Sequence, residues 1–147
     1  MQSLLEEGLL ASATGPATGT IYPPAYHATT DQRTPINLTH HPYFNLSGAG
    51  HGTILNPRLT IHAPHYPPVN DQLIPTGEIQ PVAGTPFDFT TPKTIGSRLA
   101  DVPGGYDHNF CLGASQEIRP AAIVSDPSTG RNMEILTDQP GIQFYSG

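Results

Sequence analysis

The sequence predicts an all-β fold, a sandwich or barrel of short strands, and two observations lead there. The first is a load of 17 Pro and 15 Gly in 147 residues. Proline removes a backbone N–H and clashes with the preceding helical turn, so this composition favours short strands joined by many turns. The second is that, from residue 25 onward, strand-like apolar runs alternate with turn signals at the spacing of an antiparallel sandwich. A charged content of 12% and a hydrophobic content of 36% would also suit a disordered chain. Against that, the apolar residues recur in patterned groups. The length is enough for one domain around one core.

The elements follow in order. The opening MQSLLEEGLLASATG has Leu5 and Leu9 four residues apart, with Glu6 on another side. That spacing leaves room for a short amphipathic helix, and any helix is expected within residues 2–10 or as single turns. Residues 11–24, ASATGPATGTIYPP, are small and uncharged and read as a linker. Residues 1–24 are thus a separate N-terminal segment and linker, and residues 25–147 the domain. Between Ile54 and Ala63 the residues Leu55, Leu59, Ile61 and Ala63 share one parity, while Arg58, Thr60 and His62 share the other, so one face can be buried. Pro57 marks an edge, a bulge or a break in this run. The LIPTGE stretch from Leu73 demands tight turns, and Phe87 and Phe89 can face one core. Residues 106–112, entered through Pro103-Gly104-Gly105, form a further strand. Ile118–Val124 and Asn132–Thr137 read as a hairpin around Asp126–Gly130, because Pro pre-sets φ and Gly permits φ > 0. Residues 141–145, GIQFY, begin one more strand.

Charge and cysteine content narrow the partners. The net charge is −6 and no stretch clusters Lys and Arg, so nucleic acid and anionic membrane are not expected partners. No apolar run approaches the ~20 residues of a membrane span, and the N-terminus lacks the basic start of a signal peptide. The one cysteine, Cys111, cannot form an internal disulfide, which fits a reducing, cytoplasmic setting.

Two stretches concentrate polar chemistry. Thr34–Gly48, TPINLTHHPYFNLSG, holds Asn37, His40, His41, Tyr43 and Asn45 within nine positions. Such a density of neutral donors and acceptors suits a sugar-hydroxyl site, with histidine as the proton carrier near neutral pH. It equally suits a polar loop whose His and Asn satisfy buried backbone groups. No metal is expected: neighbours on an extended strand point to opposite faces, so His40 and His41 would not share an ion, and no Cys or carboxylate spacing completes a site. Gly104–Phe110, GGYDHNF, puts a carboxylate, an imidazole and an amide beside an aromatic ring, a mixture that fits a pocket as well as a turn leading into a core strand.

Taken together, TPINLTHHPYFNLSG, LIPTGEI, GTPFDF, GYDHNF and the closing QPGIQFY resemble, in order and approximate spacing, the aldose 1-epimerase family over residues 25–147. The resemblance implies part of a galactose-mutarotase-like antiparallel β-sandwich, the supersandwich. It implies acid–base ring opening that interconverts the α and β anomers of free aldohexoses such as glucose and galactose, without cofactor or metal. In the family's pattern the histidine before the Tyr-Phe-Asn-Leu run is the general acid, here His41; the usual Asn before it is His40. The Asp of the YDHNF-type motif grips sugar hydroxyls, here Asp107. Asn37, His40 and His108 are implied rim residues. The chain departs at Pro64-His65 and Asn70, where the family tends to have Asp-Arg and Asp. The family's general base is a glutamate downstream of QPGIQFY, and Glu78, Glu117 and Glu134 lie in other motifs. A substrate-contacting arginine and histidine upstream of Tyr26 have no counterpart either. The resemblance therefore implies an incomplete chain, weakly active or inactive. The alternative is a non-catalytic sugar-binding or vestigial fragment.

Overall fold

The computed structural model describes residues 4–14, 21–22, 25–36, 38–39 and 41–147. Among them lie eleven strands: β1 Leu4–Thr14, β2 Ile21–Tyr22, β3 Ala25–Ala28, β4 Arg58–Ile61, β5 His65–Tyr66, β6 Gln80–Pro81, β7 Lys93–Thr94, β8 Asp107–Cys111, β9 Arg119–Asp126, β10 Arg131–Thr137 and β11 Gly141–Tyr145. The strand pairings are all antiparallel. They build a seven-stranded sheet in the order β2-β1-β10-β9-β4-β7, with β3 beside β1, and a four-stranded sheet in the order β11-β8-β5-β6. The fold is therefore all-β, and the alternating pattern and the Pro and Gly turns are its cause. No helix among the described residues is long and apolar enough to cross a membrane.

The core lies between the two sheets. Leu59 and Ile61 of β4 and Ala122 of β9 face Tyr66 of β5 and Phe110 of β8, with Val82, Phe89, Ile95, Val102 and Tyr106 filling the space between. Phe89 stands edge-on to Tyr106, Phe110 and Phe144, with ring centroids 5.3, 6.5 and 5.8 Å away, a geometry in which ring edges meet ring faces. The parity expected for residues 54–63 holds for Leu59, Ile61 and Ala63, which are buried, and for Arg58 and His62, which are exposed, but Thr60 of the outward parity is buried too. Leu55 is instead exposed, because the strand starts only after Pro57. Phe87 joins Phe89 in the core cluster, stacking on Tyr66 at 4.6 Å.

The expected hairpin is present. β9 and β10 pair from Arg131 opposite Asp126 to Thr137 opposite Arg119, around a turn closed by the Gly130 N–H on the Asp126 carbonyl at 2.9 Å. Gly130 has φ of 70°, the left-handed conformation that made glycine the expected residue. In the LIPTGE region the side chain of Asn70 accepts from the N–H groups of Gln72 and Ile74 at 2.9 and 3.0 Å. This holds the turn in which Leu73 takes the unusual φ of 60°. The Asn at this position therefore has a structural use in this chain.

The N-terminal expectation fails. Residues 4–14 form a strand rather than a helix, and its last four residues occupy what read as linker. Six residues of β1, Leu9 to Thr14, pair with β10, and Ser12 and Ala11 also pair with β2. Sheet pairing outweighs a helical spacing that rests on two leucines. The structure also has a 3₁₀ segment, Ile95–Asp101, interrupted at Arg98, that the sequence pattern did not reveal. It is anchored where the Ile95 and Gly96 N–H groups donate to the carbonyls of Pro57 and Leu55 at 3.0 and 2.9 Å.

Candidate functional site

Strand β8 carries the GYDHNF motif, and its alternation sorts the motif into two faces. His108 and Phe110 point inward and are buried, while Asp107, Asn109 and Cys111 are partly exposed. The ladder to β11 sets Asp107 opposite Tyr145, His108 opposite Phe144, and Asn109 opposite Gln143. Residues directly opposed across a ladder share a face. Asp107, Asn109, Gln143 and Tyr145 therefore stand together on the outer side, and the Gln143 side-chain amide donates to Asp107 Oδ1 at 2.8 Å. Gly141 leaves room for the Asn109 amide, since a Cβ there would come within 2.6 Å of Asn109 Oδ1.

The Thr34–Gly48 segment reaches this outer face through aromatic rings. His41 stacks at a tilt on Tyr43 with centroids 5.0 Å apart, and Tyr43 meets Tyr145 edge-on at 6.3 Å. Tyr145 in turn sits opposite Asp107. His41 and Asp107 are thus linked to one neighbourhood through two tyrosines. Both of those rings are largely exposed, at 77% for Tyr43 and 45% for Tyr145, so they form an open ridge rather than a closed pocket. Such exposed aromatic faces beside a carboxylate and carboxamides can hold the C–H face and the hydroxyls of one small polar ring.

His108 sits apart from that ridge. It is 7% exposed, with its ring packed on Phe87 at 4.4 Å. Its Nδ1 accepts from the Asp107 N–H at 3.1 Å, so the neutral ring carries its proton on Nε2. Burial pushes its pKa below the usual histidine value, and the neighbouring Asp107 charge only partly opposes this. As a rim residue beside Asp107 it is on the wrong face, because adjacent residues of a strand point to opposite sides. Asn37 and His40 lie outside the described residues.

Asn45, named in the sequence as a possible partner of backbone groups, has that use here, whereas the partners Ser47, Asp126, Thr129 and Arg131 that hold residues 45–48 were not foreseen. Asn45 Nδ2 donates to the His51 carbonyl at 2.9 Å, and Asn45 Oδ1 accepts from the Ser47 N–H at 3.0 Å. Ser47 Oγ donates to Asp126 Oδ2 at 2.7 Å. Arg131 Nη1 and Thr129 Oγ1 donate to the Leu46 carbonyl at 2.8 and 3.2 Å. Asp126 is almost fully buried and also takes the Ser128 N–H and hydroxyl, and these donors, with Ser47, hold its pKa down at about 2. A polar turn following a hairpin strand was the only signal, and it does not name a partner 79 residues away.

The described residues form an antiparallel β-sandwich, and comparison with known proteins gives its family. The family model for aldose 1-epimerase matches residues 24–147, and the chain belongs to the aldose 1-epimerase family. The galactose mutarotases of Pongo abelii and Homo sapiens are 49% and 48% identical to it over 123 residues, 83% of this chain and 36% of theirs. The aldose 1-epimerase of Escherichia coli K12 is 41% identical over 128 residues, 83% of this chain and 37% of its own. The chain thus spans about a third of the length of the curated relatives it matches. In fold it is similar to the GalM/aldose epimerase homologue from C. elegans, with a TM-score of 0.57 at 24% identity, over 66% of this chain and 30% of that one.

Proposed function

We propose that the chain serves the anomer exchange of free aldohexoses such as glucose and galactose, with residues 25–147 as the working part. The observation that supports this most is the ring path from His41 through Tyr43 and Tyr145 to the position opposite Asp107, in a member of this family. In the proposed reaction a base takes the proton of the anomeric hydroxyl while His41 protonates the ring oxygen. The bond between C1 and the ring oxygen breaks to give the open aldehyde. Rotation about C1–C2 followed by closure on the other face gives the second anomer, and the protons return. Asp107 accepts from sugar hydroxyls, and Tyr43 and Tyr145 supply the apolar platform. His40 and Asn37 are proposed rim residues. A cytoplasmic setting, a free sugar as the one partner, and no nucleic-acid or membrane partner complete the reading.

Glu78, Glu117 and Glu134 stand elsewhere. Glu78 is exposed before β6 and takes the Gln80 amide at 3.1 Å, Glu117 is exposed before β9, and Glu134 lies on β10 of the other sheet. With none of these three beside the ridge to act as base, we propose that the chain turns over slowly. His108 is not proposed as the acid, because it is buried on the inward face and burial lowers its pKa, which favours the neutral imidazole.

Polarimetry of freshly dissolved α-glucose and α-galactose tests the reading. The expected result is a small acceleration proportional to protein, lost in His41→Asn and in Asp107→Ala. Turnover unaffected in His41→Asn would remove His41 as the acid. A strong, saturating acceleration that survives both substitutions would overturn the proposed site.

A further inference from the structure

His41 and Tyr43 of the proposed site stand outside the strands. Of Thr34–Gly48, the stretch from His41 to Phe44 belongs to no strand, and Tyr43 and Phe44 are exposed. Just beyond it the chain is knotted. Asn45 bonds to Ser47 and His51, the Gly48 N–H donates to the Asn45 carbonyl, and the His51 N–H donates to the Gly48 carbonyl, both at 3.1 Å. That knot is tied to the tip of the β9–β10 hairpin by three side chains: Ser47 to Asp126, Thr129 to the Leu46 carbonyl, and Arg131 to the same carbonyl. Asp126 and Arg131 belong to the seven-stranded sheet, whereas Tyr43 rests on Tyr145 of the four-stranded sheet. The segment bearing His41 therefore spans the two sheets, fixed to one by hydrogen bonds and laid on the other by ring contact.

We infer that the hairpin tip is a positioning device: Asp126, Thr129 and Arg131 clamp Leu46–Ser47 so that His41 and Tyr43 are held over the Asp107–Tyr145 ridge. The inference rests on the functional reading above for its purpose, though not for its geometry. The chemistry of the clamp favours rigidity. A carboxylate accepting hydroxyl and N–H donors and a guanidinium on a carbonyl are charge-assisted bonds, stronger than neutral pairs. Asp126 binds both its own turn, through Ser128, and the distant segment, through Ser47, so the tip cannot shift without carrying Ser47 with it. A loss of about an ångström in the placement of an acid is enough to slow a reaction that depends on orientation. Asp126, Thr129 and Arg131 touch no sugar in this picture; they act through His41.

The clamp is tested on the whole chain by two readouts that need no turnover. One is amide hydrogen exchange; the other is the imidazole Cε1–H resonance of His41, assigned by its disappearance in His41→Asn. Ser47→Ala removes one donor without touching the hairpin, and Arg131→Met removes another. In each, the amides of residues 45–52 should exchange about tenfold faster while β8 and β11 keep their protection, the pattern of a local opening. The His41 resonance should lose the shift imposed by the Tyr43 ring. Ser47→Thr, which keeps the hydroxyl, should restore both. Unchanged exchange and an unmoved His41 resonance in both variants would overturn the clamp. Equal loss of protection across both sheets would also overturn it, since the contacts would then serve overall stability and not position. A chain that binds and turns over no sugar yet shows the local changes would discard the functional reading and keep the clamp.

Discussion

Asp107 and His108 are adjacent in the chain and have opposite surroundings. Asp107 meets solvent, Gln143 and Tyr145; His108 is packed on Phe87. That difference has a pH signature. Burial holds the folded pKa of His108 below the value of 6.5 that it has when unfolded. Between those two values the unfolded chain binds more protons, so stability is complete above about 6.5 and is lost as pH falls toward the folded pKa. Urea unfolding midpoints should therefore drop across this range, and His108→Gln should flatten the slope. An equal slope in that variant would mean that His108 is not the buried neutral imidazole described. Sequence inspection could have separated the two residues, because a strand assignment over 106–112 already implies alternate faces. What it could not supply was the direction, since only the register with β11 tells which face looks into the core. His41 was legible as a candidate from its motif alone. Its link to Asp107 through Tyr43 and Tyr145 was not, because ring contacts between distant segments leave no local pattern.

The elements were most legible where turn chemistry punctuates them. The β9–β10 hairpin and β11 fell where Asp126–Gly130 and GIQFY placed them, because Pro and Gly restrict φ locally and need no tertiary information. β1 was misread because its conformation comes from β10, far along the chain. The 3₁₀ segment was missed for a similar reason: Gly96 lies there because the backbone at Leu55 approaches closely. A Cβ on Gly96 would sit 2.9 Å from Leu55 Cβ and 3.2 Å from the Leu55 carbonyl oxygen. Much of that obstacle is backbone, which cannot rotate away. Gly96→Ala should cost about 1–3 kcal/mol in urea unfolding, the usual range for forcing a group into a filled space. A neutral result would show that the contact between this segment and residues 54–57 is loose. The hairpin tip makes a separate prediction. Asp126 has a pKa of about 2 when folded against 3.8 when unfolded, so its contribution is complete above 3.8 and is lost as pH falls toward about 2. Unfolding midpoints of the parent chain should fall over this acid range, and Asp126→Asn should fall less. Parallel curves would place the acid sensitivity at other carboxylates.

The molecule as a whole joins two antiparallel sheets around an aromatic core, and what it offers a ligand is set by that arrangement. The core uses the inward residues of β8 and β11, so the outward set of Asp107, Asn109, Gln143 and Tyr145 is left on one open surface. The His41 segment, tied to the other sheet, reaches over to the same surface. The family supports the proposal of sugar chemistry, and the fold says which side chains of this chain stand on that surface. The claim that matters most is that His41 and Asp107 address one sugar. A titration of the whole chain with glucose and with galactose, followed by the His and Tyr resonances, tests it most directly. The prediction is a saturable shift of the His41, Tyr43 and Tyr145 signals that is abolished in Asp107→Ala, with the fold of that variant confirmed by unchanged amide protection in β9 and β10. A shift confined to His108, or a response in His41 that persists unchanged without the Asp107 carboxylate, would contradict it.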